Sequence, residues 1–213
     1  MDCLSFVLYF NMSKNILYIH GFNSSPQSLK AEQTKAFLAK NHPRVVFHCP
    51  QLATSPQAVI AQLEDIIQQA EDNTTWSFMG SSLGGYFASY LAEKYQRLAV
   101  LINPAIKPFE LLEDYMGQQV NPYTGIVYHV TKEHITELKA IEPSAPKLDS
   151  KQKNNPLVMV QTGDEVLDYQ QAVEKYQHCR LIVEQGGDHS FIGFAEKLPI
   201  IAGFLQLETQ LKA

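Results

Sequence analysis

Six short runs of aliphatic and aromatic residues, separated by stretches of helical spacing, constrain this chain more than any other feature. ILYIH (16–20), RVVFH (44–48), WSFM (76–79), LAVLI (98–102), PLVMVQT (156–162) and CRLIVE (179–184) each read as a short buried strand. Between and after them, apolar positions recur at helical spacing over 26–40, 56–71, 82–95, about 168–177 and about 192–207, with Pro26 placed in the first turn of the first helix. Helices that cross over between buried aliphatic strands imply a parallel sheet covered on both faces, because parallel neighbours need such a connection. The expectation is an α/β fold with a six-stranded, mainly parallel sheet flanked by helices.

The rhythm stops after the fourth strand. Residues 103–155 are rich in Pro, Tyr and charge and hold two candidate short helices, near 108–116 and 131–140. Such a stretch reads as a lid-like insertion, at 104–150, within a single domain of 213 residues. Apolar residues at 45% and charged residues at 18% suit a soluble globular chain. A net charge of -5 with scattered Lys and Arg lacks the basic stripe that nucleic acid requires. The first apolar run, CLSFVLYF, is too short to span a bilayer and has neither the basic flank nor the small-residue site of a signal peptide, so no membrane association is expected. Residues 1–11 read as a non-core extension, with Met12 as an alternative start. Cys3, Cys49 and Cys179 are an odd, widely spaced set that suits free thiols in a reducing, cytoplasmic compartment.

Gly80-x-Ser82-x-Gly84 lies between a strand and a helix, as a nucleophile turn requires. On so sharp a turn the Ser82 hydroxyl stands clear of the sheet, and Leu83 offers an N–H for an oxyanion hole. The competing readings are a plain Gly/Ser corner and a phosphate cradle, and the second lacks both the Lys of a P-loop and the order of a dinucleotide site. A hydroxyl needs a base, so the motif calls for a carboxylate and then a histidine on later loops. TGDEVLD (162–168) and GGDHSF (186–191) supply them at the ends of the fifth and sixth strands. Asp164 is preferred to Asp168, which is placed to cap the next helix, and His189 is the best placed of the seven histidines. His20 and His48 end strands and line the site without reacting, whereas His42, His129, His134 and His178 lie in polar segments and read as solvated. In HGFNSSP (20–26) the N–H of Phe22 is the second oxyanion donor, and Asn23 is a candidate substrate contact. Phe109, Leu111, Leu112, Tyr115, Met116 and Tyr123 in the insertion are candidates to line an acyl pocket, with packing of the insertion as the alternative.

YIHGFNSSP, GSSLGGY, NPAIKPFELLEDYMGQQVNPYTG, QTGDEVLDYQQAV and the final GG-x-H-x-F resemble the α/β-hydrolase superfamily, and more closely the small YqiA-type bacterial esterases, from Ile16 onward. The resemblance implies an esterase whose substrate class is acyl esters, extending to acyl-CoA thioesters, supplied as small molecules, with no metal and no organic cofactor, and it supports Ser82, Asp164 and His189 as the triad. In one departure, Asp188 stands beside His189 where the family pattern leads one to expect Asn; a carboxylate there either favours the charged imidazole or points to solvent. Rival readings keep the fold but make it a catalytically silent binding module, or turn the same triad on a peptide or carbon–carbon bond. The oligomeric state is not legible.

Overall fold

The computed structural model of the protein describes residues 13–146 and 154–207, so the extension expected at 1–11 lies outside the described residues. β1 (Lys14–Ile19), α1 (Leu29–Asn41), β2 (Val45–His48), α2 (Pro56–Gln68), β3 (Thr75–Ser82), α3 (Leu83–Tyr95) and β4 (Ala99–Pro104) follow in strict alternation. Then come α4 (Pro108–Leu111), a 3₁₀ turn (Leu112–Tyr115), β5 (Gly117–Val120), β6 (Val127–Val130) and α5 (Lys132–Ala140). The alternation resumes with β7 (Leu157–Gln161), α6 (Tyr169–Lys175), β8 (Arg180–Glu184) and α7 (Phe194–Phe204).

The six expected strands form one sheet in the order β2-β1-β3-β4-β7-β8, and every neighbouring pair is parallel. Successive side chains of a strand point to opposite faces, and the core divides accordingly. Leu17, Ile19, Phe78, Leu101, Val158 and Val160 meet α2, α3 and α6 on one face through Leu63, Phe87, Leu91 and Tyr176. Ile16, Tyr18, Met79, Val100, Ile102 and Met159 meet α1 and α7 on the other through Leu38, Phe194, Leu198 and Ile201. This two-sided burial is why the strands carry continuous apolar runs and not alternation.

Several boundaries differ from expectation. β3 outlasts its apolar run, because Gly80, Ser81 and Ser82 continue the ladder, Gly80 against Ile19 and Ser82 against Pro104. α1 starts at Leu29 and not at Pro26, since Ser25 closes a turn by accepting from the N–H groups of Gln27 and Ser28. His42, read as solvated, is buried at the end of α1 beside the Phe37 ring. The insertion holds an unanticipated antiparallel hairpin, β5 on β6. Its strands GQQV and VYHV are short and largely exposed, so no apolar run marks them. The Asn121 side chain closes the hairpin turn by accepting from the N–H groups of Tyr123 and Thr124.

Candidate active site

β1 sits between β2 and β3, so the chain steps to one side after β1 and to the other from β3 onward. At such a reversal the carboxyl ends of the two central strands open onto a crevice. The 20–26 loop and Ser82 both lie there. Ser82 ends β3 and caps α3 with φ 56° and ψ -124°, a conformation that costs a non-glycine residue about 1–3 kcal/mol. The turn is too tight for side chains at its flanks. A Cβ on Gly84 would stand 2.0 Å from the Ile19 carbonyl oxygen, and one on Gly80 would stand 2.1 Å from that of Gly84.

The loops after β7 and β8 bring two further groups to Ser82. His189 Nε2 is 3.1 Å from Ser82 Oγ, and its Nδ1 is 3.0 and 2.9 Å from the two Asp164 oxygens. The Asp164 side chain is 2% exposed and that of His189 25%. Burial alone would push the Asp164 carboxyl up, but the hydrogen bond from His189 and the N–H groups of Leu167 and Val166 hold it below its ordinary value. Asp168 is the α6 cap, accepting from the Gln170 N–H at 2.9 Å. The Asp188 carboxylate accepts from the Ser190 hydroxyl at 2.5 Å.

Gly21 packs against Ser82, with its Cβ position 3.3 Å from the Ser82 Cβ. Phe22 follows Gly21 in the chain, and Leu83, the first residue of α3, follows the serine; a first-turn N–H has no partner within its own helix. A cavity of about 60 Å³ lies beside this turn, bounded by Gly21, Phe22, Leu83, Leu52, Leu112 and Tyr128 among others; Ser82 and His189 are adjacent to its wall in sequence or contact but not part of it. Its lining holds no carboxylate, lysine or arginine. His20 lines it, buried, with Nδ1 3.0 Å from the Gly21 oxygen and Nε2 accepting from the Leu52 N–H at 3.3 Å. Burial lowers its pKa, against the pull of the Gly21 carbonyl.

Of the proposed substrate contacts, Asn23 borders this cavity, but its side chain is held by Tyr128, whose hydroxyl donates to Asn23 Oδ1 at 2.8 Å. Phe109 is not on the cavity wall; it is buried in the core against α5, with the Lys139 ammonium over its ring. Tyr115, Met116 and Tyr123 also lie outside the lining, half exposed on the insertion, and Tyr115 sets its ring edge-on to Phe22 with centroids 5.2 Å apart. Residues that the sequence reading left unassigned also converge here. The Glu165 carboxylate accepts from the His189 N–H at 3.0 Å, and the amide side chains of Asn103 and Gln161 bind the backbone around His189. The overlooked signal was a polar amide near the end of each of two otherwise apolar strands.

Among the described residues no helix is long and apolar enough to cross a membrane, and no group of three or more His, Cys, Asp or Glu side chains is arranged to hold a metal. Residues 15–206 match the uncharacterised protein family UPF0227. Among solved structures, the chain is similar to alpha/beta hydrolase domain-containing protein 10 from mouse, with 14% identity over 90% of this chain and 89% of that one and a TM-score of 0.69. It is also similar to Est1E from Butyrivibrio proteoclasticus, with 14% identity over 93% and 88% of the two chains and a TM-score of 0.64. The esterase domain of a Rhodothermus marinus protein aligns with 14% identity over 91% and 86% and a TM-score of 0.61. At such identities the likeness speaks for the fold, which is that of the α/β hydrolases.

Proposed function

Because the chain belongs to UPF0227, a YqiA-like family with the α/β-hydrolase fold, we propose that it is a serine hydrolase of carboxylic esters, with Ser82 as nucleophile. The observation that carries this reading is the continuous contact from Ser82 Oγ through the His189 ring to the buried Asp164 carboxylate. As Oγ attacks the ester carbonyl, His189 Nε2 takes its proton and a carbon–oxygen bond forms. Asp164 holds the proton on Nδ1 and stabilises the imidazolium. The carbonyl oxygen gains the negative charge, which the N–H groups of Phe22 and Leu83 receive. Collapse of this intermediate expels the alcohol, which leaves with the proton from Nε2, and the acyl group stays on Ser82. Water repeats the sequence and frees the acid.

The acyl group is assigned to the cavity beside Ser82, whose size and lack of carboxylate, lysine or arginine favour a short, neutral acyl chain, since about 60 Å³ falls well below the 300–1,000 Å³ of a pocket for a larger ligand. Acyl-CoA thioesters of short acids fall within the same class, and the insertion acts as the lid over this cavity. The free thiols of Cys49 and Cys179 are consistent with a reducing, cytoplasmic setting.

The test is a fluorophosphonate probe together with a series of p-nitrophenyl esters. Wild type should label at Ser82 and turn over acetyl and butyryl esters, with kcat/KM falling for longer chains. Ser82→Ala should lose about three or more orders of magnitude in kcat and all labelling. Folded wild-type protein that neither labels nor hydrolyses any ester would be a binding module and would overturn the proposal.

A further inference from the structure

The loop that carries His189 is wound around a side chain. Gln161, the last residue of β7, is 3% exposed. Its Oε1 accepts from the N–H groups of Asp188 at 3.2 Å and Ile192 at 2.9 Å. Its Nε2 donates to the Ile192 carbonyl at 2.8 Å and to a Glu184 oxygen at 3.1 Å. Both donors and both acceptor sites of the amide are thereby used: two bonds go to Ile192 after His189, one to Asp188 before it and one to the Glu184 side chain at the carboxyl end of β8. The loop closes so tightly on this amide that a Cβ on Gly187, at φ 73°, would meet Oε1 at 1.9 Å.

A second buried amide completes the grip. Asn103, in β4 and 2% exposed, donates from Nδ2 to the Asp188 carbonyl at 3.0 Å and to the His189 carbonyl at 3.3 Å. Its Oδ1 accepts from the Gln161 backbone N–H at 3.0 Å, which ties the Asn103 side chain to the end of β7. Asn103 holds φ 39°, a strained value for a residue with a side chain, so the tie is made at a cost in backbone energy. Lys30 adds a third hold by donating to the Ser190 carbonyl at 2.8 Å.

We infer that Gln161 and Asn103 are positioning residues of the hydrolase: through the 186–192 backbone they fix where the His189 ring stands between Ser82 and Asp164. The inference rests on the function proposed above. Neither amide bonds to Ser82 Oγ or to the His189 ring, and an apolar side chain of the same length would match its bulk alone. What it would lack is the four-way hydrogen bonding that sets the loop. A ring displaced by about 1 Å lengthens the contact to Ser82 Oγ beyond proton-transfer reach, and such a misplacement can cost about 100-fold in rate.

The test uses Gln161→Met, the near-isosteric Gln161→Glu and Asn103→Asp in the full chain. Activity is expressed per fluorophosphonate-titrated site, so that a misfolded fraction drops out, and the pH titration of the His189 ring is followed by NMR. The expected result is kcat per titrated site lowered about 10- to 100-fold, KM within about twofold of wild type and a shifted His189 titration. Variants that keep the wild-type kcat per titrated site, or the wild-type His189 titration, overturn the inference. Should Gln161→Met not fold, Gln161→Glu and Asn103→Asp carry the same measurements. An inactive wild type would sink the proposed function and leave the NMR comparison to judge the positioning role by itself.

Discussion

Asp164 joins fold stability to the site's chemistry in a single side chain. His189 and two backbone N–H groups favour its ionised form more than burial opposes it, so its pKa lies below the ordinary carboxylate value. Near pH 4 the folded chain therefore binds fewer protons at this position than the unfolded chain. The stability this contributes is complete above about 3.9, the unfolded value, and is lost as pH falls through the lower folded one. Urea unfolding midpoints measured at pH 6 and pH 3 should fall further for wild type than for Asp164→Asn, and equal falls would remove this account. The same variant should lose about 10⁴-fold in kcat, as a triad does when its carboxylate no longer fixes the ring. That Ser82, Asp164 and His189 come together was legible in the sequence because each lies at or just past the carboxyl end of a strand. Asn103 and Gln161 were not, since their role lies in hydrogen bonds to backbone far away in the chain.

At the scale of elements, the turn from β3 into α3 is governed by how near α3 comes to β1. Gly84 lies against the carbonyls of Ile19 and His20 with no room for a methyl group. Gly84→Ala should destabilise by about 1–3 kcal/mol or more through overpacking and should slow fluorophosphonate labelling. Gly203→Ala is the control, because that glycine lies in α7 with open space around its Cβ position. It should stabilise by about 0.5–1 kcal/mol, the usual gain in a helix; chemical denaturation checks both. The hairpin β5–β6 supplies a second element-scale effect. Tyr128 reaches from β6 to Asn23, Asn121 donates to the Ser24 carbonyl at 2.9 Å, and Phe22 packs edge-on to Tyr128. Periodicity could find α5 but not this hairpin, whose four-residue strands have too little buried surface to leave a pattern.

For the whole molecule, the sheet with helices on both faces was readable because its strands are apolar throughout, and the burial that makes them so is a property of the assembled layers. The site depends on those layers only for its scaffold. Leu63 in α2 is fully buried in the face shared with α3. Leu63→Ala should cost about 2–5 kcal/mol of stability yet leave kcat per titrated site unchanged at a temperature where the variant is folded. A fall in that per-site rate would mean that core and site are coupled more closely than their separation in the fold suggests.

Ser82 and His189 meet across 107 positions of sequence, and the loop bearing His189 follows the outermost strand of its side of the sheet. During synthesis the turn from β3 into α3, with its neighbours in β1 and β4, emerges long before His189. A growing chain therefore carries Ser82 without its His189 contact until β7 and β8 have docked, so under the proposed function reactivity with a fluorophosphonate is expected only once the last strand of the sheet is laid down.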